Sequence, residues 1–253
     1  MINSRVIPVL LLSGEGLVKT IKFRDRIYIG DPLNAIKIFN EKEVDELIIL
    51  DIDAQKRKIG PDFSYIKRLA TECFMPVCYG GGIVSLDAIK ELFFLGIEKV
   101  SINSASFQNI NLISEAAKIY GVQSIIGAMD VKKNLFGKYD VFYNNGRTKG
   151  SSNPFQWVKT LENAGAGEIF LNSIDNDGTM NGFDIGLVKK ITEIVKIPVI
   201  ACGGAGNIDH CKIAIDNGAA AVGVGSMCVF KDQNRAVLIS YPNQDQLKNF
   251  RDE

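Results

Sequence analysis

Short apolar runs alternate with amphipathic segments along the whole chain. The runs at residues 5–12, 46–53, 76–82, 98–104, 123–130, 168–175, 197–204 and 220–226 are almost continuously apolar. That texture is expected of parallel strands covered on both faces. Apolar spacings of three and four predict helices over 31–43, 62–73, 85–96 and 111–121, with Ser85 as an N-cap and Gly121 as a stop. Three more helices fall between the later strands, and the last and least periodic one covers 243–250. Eight strand–helix units in 253 residues predict an α/β fold, a (β/α)₈ barrel forming one domain over 1–253. A doubly wound open sheet has the same alternation but gives no reason for the repeat that follows.

The chain repeats itself. Glu46–Asp53 (ELIILDID) lies over Glu168–Asp175 (EIFLNSID), and 168 − 46 = 122. Pro76–Gly82 lies over Pro198–Gly204, and Lys99–Ser104 over Ala221–Ser226, at the same offset of 122. Three matches at one offset predict two fused half-barrels, about 4–122 and 123–240. The first strands of the halves then correspond, and Leu11 falls where Asp130 stands.

Composition narrows the function classes. Lys plus Arg is 29 and Asp plus Glu is 29, which gives no sign of a nucleic-acid or membrane partner. The opening stretch is too briefly apolar for a signal peptide, and no run is long enough to span a bilayer. Five cysteines without C-x-x-C spacing suit reduced thiols in a cytoplasmic protein. The single histidine, His210, follows a glycine-rich turn and suits a helix start. No metal site and no cofactor are expected.

Barrel active sites lie at the C-terminal strand ends. Each half offers a candidate phosphate cradle there: Gly80, Gly81 and Gly82 with Asn103 and Ser104, and Gly203 and Gly204 with Gly225 and Ser226. Backbone N–H groups of such turns approach anions closely, although turns need glycine anyway. Carboxylates gather at the same end: Asp51, Asp53, Asp130, Asp175 and Asp177. Turn and capping roles suit Asp53 and Asp175. Asp130 ends a strongly apolar strand and is a candidate general acid or base. The long stretch 13–32 lacks a helical period and reads as a lid loop, with Lys19 its most inward candidate. At the opposite end, Arg5, Glu46, Lys99 and Glu168 stand at strand starts. They either face outward or, facing inward, must pair as a neutral ring.

These residues resemble the cyclase subunit of imidazole glycerol phosphate synthase, HisF. The pieces that carry the resemblance are GLVKT, GDP, DELIILDIDA, GGGI, EKVSIN, GEIFLNSIDNDGT, GF and VIACGGAG, within residues 4–230. The resemblance implies a (β/α)₈ lyase that takes ammonia from a HisH-like glutaminase on its bottom face. The ammonia passes a salt-bridge gate and reaches a bis-phosphorylated substrate on top. It carries the gate onto Arg5, Glu46, Lys99 and Glu168, and phosphate binding onto Gly82, Asn103, Ser104, Asp177, Gly204 and Ser226. It carries the loop lysine onto Lys19 and one catalytic aspartate onto Asp130. The other catalytic aspartate falls on Leu11, which can neither donate nor accept a proton. That departure, with the C-terminal RAVLISYP, is similar to the HisF-like paralogues of surface-polysaccharide genes (the WbuZ type). There the barrel is thought to supply ammonia to a separate sugar amidotransferase that turns an acetamido sugar into an acetamidino sugar. A working cyclase of histidine biosynthesis is the alternative, and a phosphate-sugar isomerase a third.

Overall fold

The computed structural model describes residues 4–57, 60–231 and 235–251. Residues 1–3, which belong to the opening stretch weighed as a signal peptide, lie outside that description. Eight strands form the barrel: β1 (Arg5–Ser13), β2 (Leu47–Asp51), β3 (Val77–Gly80), β4 (Lys99–Ile102), β5 (Ile125–Lys133), β6 (Glu168–Ser173), β7 (Val199–Cys202) and β8 (Ala221–Val224). Each pairs in parallel with the next, and β1 pairs with β8, so the sheet closes. The longer helices between and after them are α1 (Pro32–Glu41), α2 (Phe63–Glu72), α3 (Leu86–Phe94), α4 (Asn111–Tyr120), α5 (Pro154–Asn163), α6 (Ile185–Thr192), α7 (Ile208–Asp216) and α8 (Gln244–Arg251), with short helical segments at Ala54–Arg57 and Ser104–Gln108. The fold is a (β/α)₈ barrel.

Strand alternation divides the core in two. Val6, Leu10 and Leu12 of β1 face the helices and join the large outer cluster. Ile7 and Val9 face inward and meet Ile48, Cys78, Ile126, Ala128, Phe170, Ile200, Cys202 and Ala221, with Leu11 and Leu50 packed against them. The barrel interior is therefore an apolar column.

The repeat extends to helix capping. Asp31 and Asn153 cap α1 and α5 and each precedes a proline, which suits the first helical position. Asp62 and Asp184 cap α2 and α6, and Ser85 and Asn207 cap α3 and α7. Every pair is separated by 122 residues. The side-chain oxygens take backbone N–H groups that the first helical turn leaves unpaired.

One expectation needs correction. Residues 13–32 are not an irregular lid. Gly16–Ile21 and Arg24–Gly30 form an antiparallel hairpin that continues β1, with Leu11 opposite Val18. The second half matches it with strands Tyr139–Tyr143 and Thr148–Ser151 continuing β5. A hairpin has no helical period, so the absence of one was no sign of a loop.

The glycine turns are demanded by backbone packing. Gly81 has φ +120°, and a Cβ there would lie 2.3 Å from the Asp51 carbonyl oxygen. Gly203 repeats this with φ +89° and 2.5 Å to the Ser173 carbonyl oxygen. Gly81→Ala is therefore expected to lower stability by roughly 2–4 kcal/mol, from strained backbone plus overpacking. Urea unfolding measures it, and a loss below ~1 kcal/mol would show that the turn relaxes freely.

Candidate functional site

The strand starts build one end of the site. Arg5, Lys99 and Glu168 begin their strands and Glu46 immediately precedes β2. All four turn inward and alternate in charge. Arg5 Nη1 bonds Glu46 Oε2 at 2.5 Å and its Nη2 bonds Glu168 Oε1 at 2.6 Å. Lys99 Nζ lies 3.1 Å from both Glu46 and Glu168. The ring is neutral and closed. Burial alone would lower the Arg5 pKa, but the two glutamates hold it above its ordinary value.

The other end opens into a cavity of about 580 Å³. The column residues Val9, Leu11, Leu50, Ala128 and Phe170 form its floor. Both glycine turns, Asn103, Ser104, Gly225, Ser226, Lys19, Asp130 and Asp177 line it. Every position of the two glycine cradles, with Lys19, Asp51, Asp130 and Asp177, thus reaches one cavity, whereas Asp53 and Asp175 do not line it. Lys19 is 4% exposed and donates from Nζ to the Val9 carbonyl at 2.5 Å. Burial lowers its pKa, against the pull of Asp177. Asp177 is raised by burial and lowered by Lys19 and by the Thr20 hydroxyl, which donates at 3.1 Å.

Register makes the asymmetry physical. Leu11 lies opposite Leu50, and Asp130 lies opposite Asn172, 122 residues after Leu50. An apolar pair in one half replaces a polar pair in the other. The Asp130 carboxyl receives the Asn103 amide at 2.7 Å and the Asn172 amide at 3.4 Å. Burial nevertheless raises its pKa from 3.8 to about 7.

That shift has a stability sign. The folded state holds the proton more tightly than the unfolded chain, so stability falls as pH rises from about 4 through about 7. The full penalty, on the order of 4 kcal/mol, is present above that window. Asp130→Asn is expected to be more stable than the parent at pH 8 by up to that amount, with the difference vanishing near pH 4. Urea melts at both pH values measure it, and equal differences at both would show that ionisation is not the cause.

Other carboxylates hold the scaffold. Asp53 receives Ser13 at 2.6 Å and Arg26 at 2.9 Å, tying the first hairpin to the loop after β2. Asp175 receives the Lys133 N–H at 2.8 Å. Asp51 receives the N–H groups of Asp53 and Ala54 and pairs with Arg57. His210 lies in the first turn of α7, where its Nδ1 accepts from the Gly206 N–H at 3.2 Å. Among the described residues, no three His, Cys, Asp or Glu side chains gather as a metal site. No described helix is long and apolar enough to cross a membrane.

Sequence reasoning missed Asn172, Asn145, Arg147 and Phe23, which also line the cavity. Asn172 was legible as the polar partner of Leu50 in the repeat. Asn145 and Phe23 were not, because they sit at hairpin turns that fold over the mouth. The Asn145 amide donates to the Ile52 carbonyl at 2.6 Å, and Phe23 packs beside Gly146.

Known proteins match this chain closely. The model of the histidine biosynthesis protein family matches residues 5–234. A Pseudomonas aeruginosa protein provisionally named imidazole glycerol phosphate synthase subunit hisF2 is 51% identical over 248 residues, covering 98% of this chain and 99% of that protein. A Vibrio vulnificus protein provisionally named subunit hisF3 of the same synthase is 49% identical over 250 residues, covering 98% and 96%. A Leptospira borgpetersenii protein provisionally named its subunit HisF is 49% identical over 245 residues, covering 96% of each chain. A closed barrel with paired half-sites, matched along nearly its whole length, places the chain plainly: it belongs to the histidine biosynthesis protein family, among its HisF-like members.

Proposed function

We propose that this barrel is a HisF-like subunit that receives ammonia from a glutaminase and conducts it to an acceptor on a separate enzyme. The acceptor reaction that suits it is amidation of a surface-polysaccharide sugar, acetamido to acetamidino. The observation that carries this reading is Leu11 beside Leu50, where the other half has Asp130 beside Asn172. Both ends needed for conduction are kept. The charged ring leads into an apolar interior that suits a small neutral molecule. Exposed Phe74, Phe94, Ile119 and Val122 belong to the segments that lead into β3, β4 and β5, at the ring's end of the barrel, where a glutaminase would dock. Phosphate binding at Gly81, Gly82, Asn103 and Ser104, and at Asp177, Gly203, Gly204, Gly225 and Ser226, belongs to the same proposal. Two relatives carry names numbered two and three, which suits additional copies of a subunit.

The second reading is a working cyclase of the synthase in histidine biosynthesis. Asp130 near neutral pKa, lining the same cavity as buried Lys19, favours it. Asp130 would then act as the acid or base and Lys19 as the hairpin cation. An ammonium-driven cyclase assay with the bis-phosphorylated nucleotide separates the two.

A further inference from the structure

Leu135 and Phe136 are the most exposed large apolar side chains among the described residues, at 102% and 89%. They sit side by side at the tip of the second hairpin, between β5 and Tyr139–Tyr143. The first hairpin turns there with two residues, Gly14 and Glu15, and the second with five, 134–138. The halves are offset by 119 at Leu11 and Asp130 (130 − 11). At the next turn, where Lys22 and Phe23 answer Asn144 and Asn145, all at positive φ, the offset is 122 (144 − 22). The three extra residues therefore fall in this tip. Its turn is built without apolar groups. Asn134 Oδ1 accepts the Phe136 and Lys138 N–H groups at 3.0 and 3.1 Å, and Gly137 takes φ +73°. Lys133 Nζ and the Tyr139 hydroxyl each lie 2.9 Å from Asp184, the N-cap of α6, and anchor the tip from both sides. A preordered anchor loses little freedom on binding.

The same hairpin concentrates charge. Residues 131–151 hold Lys132, Lys133, Lys138, Arg147 and Lys149 against Asp140 alone, +5 − 1 = +4, in a chain whose total is zero. Lys133 and Lys149 are paired, whereas Lys132, Lys138 and Arg147 have no ion pair among the described residues. Arg147 also lines the cavity, so the positive surface runs from the tip to the mouth. Beyond Asp130, β5 continues for three residues, which lifts the tip about 10 Å past that part of the cavity wall.

We propose that this tip docks the enzyme that accepts the ammonia, with Leu135 and Phe136 entering an apolar pocket on it and Lys132, Lys138 and Arg147 facing an acidic rim. Its contoured surface can follow the hairpin down and cover the mouth. A flat bilayer would meet only the projecting tip, and a second copy would set +4 against +4. The inference rests on the conduit reading and adds where delivery takes place.

The test combines the full-length barrel, its glutaminase and a sugar amidotransferase of the acetamidino class from the same organism, with glutamine or with ammonium salt. Changing Leu135→Ser and Phe136→Ser together is expected to lower glutamine-driven amidation at least ~10-fold below saturation, the size of a lost interface anchor, and excess barrel should restore it. Ammonium-driven amidation should stay at the parent's rate. Lys138→Glu should also weaken delivery, and Phe136→Trp should retain it. Equal delivery by the parent and the double variant overturns this inference alone. It is likewise overturned if the tip proves to bind phosphatidylglycerol vesicles, or to pair two barrels in sedimentation, while delivery ignores the substitutions. A parent that supports amidation from ammonium but never from glutamine sinks the conduit reading, and this inference with it.

Discussion

Supplied with ammonium salt, the purified barrel should turn over the bis-phosphorylated nucleotide of the histidine pathway at least ~100-fold more slowly than an authentic cyclase subunit. Joining ammonia to a substrate and then splitting it requires proton transfers at two points, and one positioned acid or base typically contributes ~10²–10⁴-fold. Leu11 supplies none. Nearby carboxylates do not stand in for it. Asp51 is occupied by two backbone N–H groups and Arg57, and Asp53 by Ser13 and Arg26. A displacement of even about 1 Å can cost ~10²-fold. Leu11→Asp should restore a trace of activity at most, because the new carboxylate would face Leu50 rather than an amide such as Asn172. Leu11→Asp with Leu50→Asn should do better than either change alone. Turnover by the parent within tenfold of the authentic control sinks the conduit reading in favour of the cyclase.

Lys99→Met should damage both folding and delivery. The ring holds two cations and two anions, and the Glu46 and Lys99 side chains are 4% and 19% exposed. Removing one partner of a buried pair typically costs about 3–5 kcal/mol because a charge is left uncompensated. The partly exposed lysine places this change toward the lower figure. Glu168→Gln combined with Lys99→Met leaves the neutral Arg5–Glu46 pair and should recover a large part of the loss, since neighbours in one network are not additive. Urea melts of the four proteins close the cycle, and strict additivity would mean that the ring is not an electrostatic unit. With a glutaminase bound, Lys99→Met should leave glutamine hydrolysis running while ammonia appears in bulk solvent. Undiminished delivery would show that ammonia does not pass the ring.

How far the chain could be read without coordinates differs from element to element. All eight strands and the helix cap Ser85 follow local rules, in which apolar runs, period and capping chemistry sit within a few residues of each other. The 122-residue repeat carried the correspondence of the two first strands, with an offset of 119 there (130 − 11), and the strand register, which sets Leu11 opposite Leu50 and Asp130 opposite Asn172, agrees with it. The hairpins after β1 and β5 were illegible because twist and pairing, not helical period, define them. The glycine turns looked like anion cradles, yet Gly81 and Gly203 are already required by contact with neighbouring backbone.

By itself the sequence determined the alternation, the closed set of eight strands implied by the duplication, and the loss of a titratable group at Leu11. These are properties of residue type and order, and period and offset report them directly. Only the tertiary structure decided that Arg5, Glu46, Lys99 and Glu168 face inward, since strand-initial charges can point either way until four strands bring them within bonding distance. It also decided that Asn103 and Asn172 share the Asp130 carboxyl and that burial lifts its pKa. Both depend on distances between strands far apart in sequence, and on the water that packing removes.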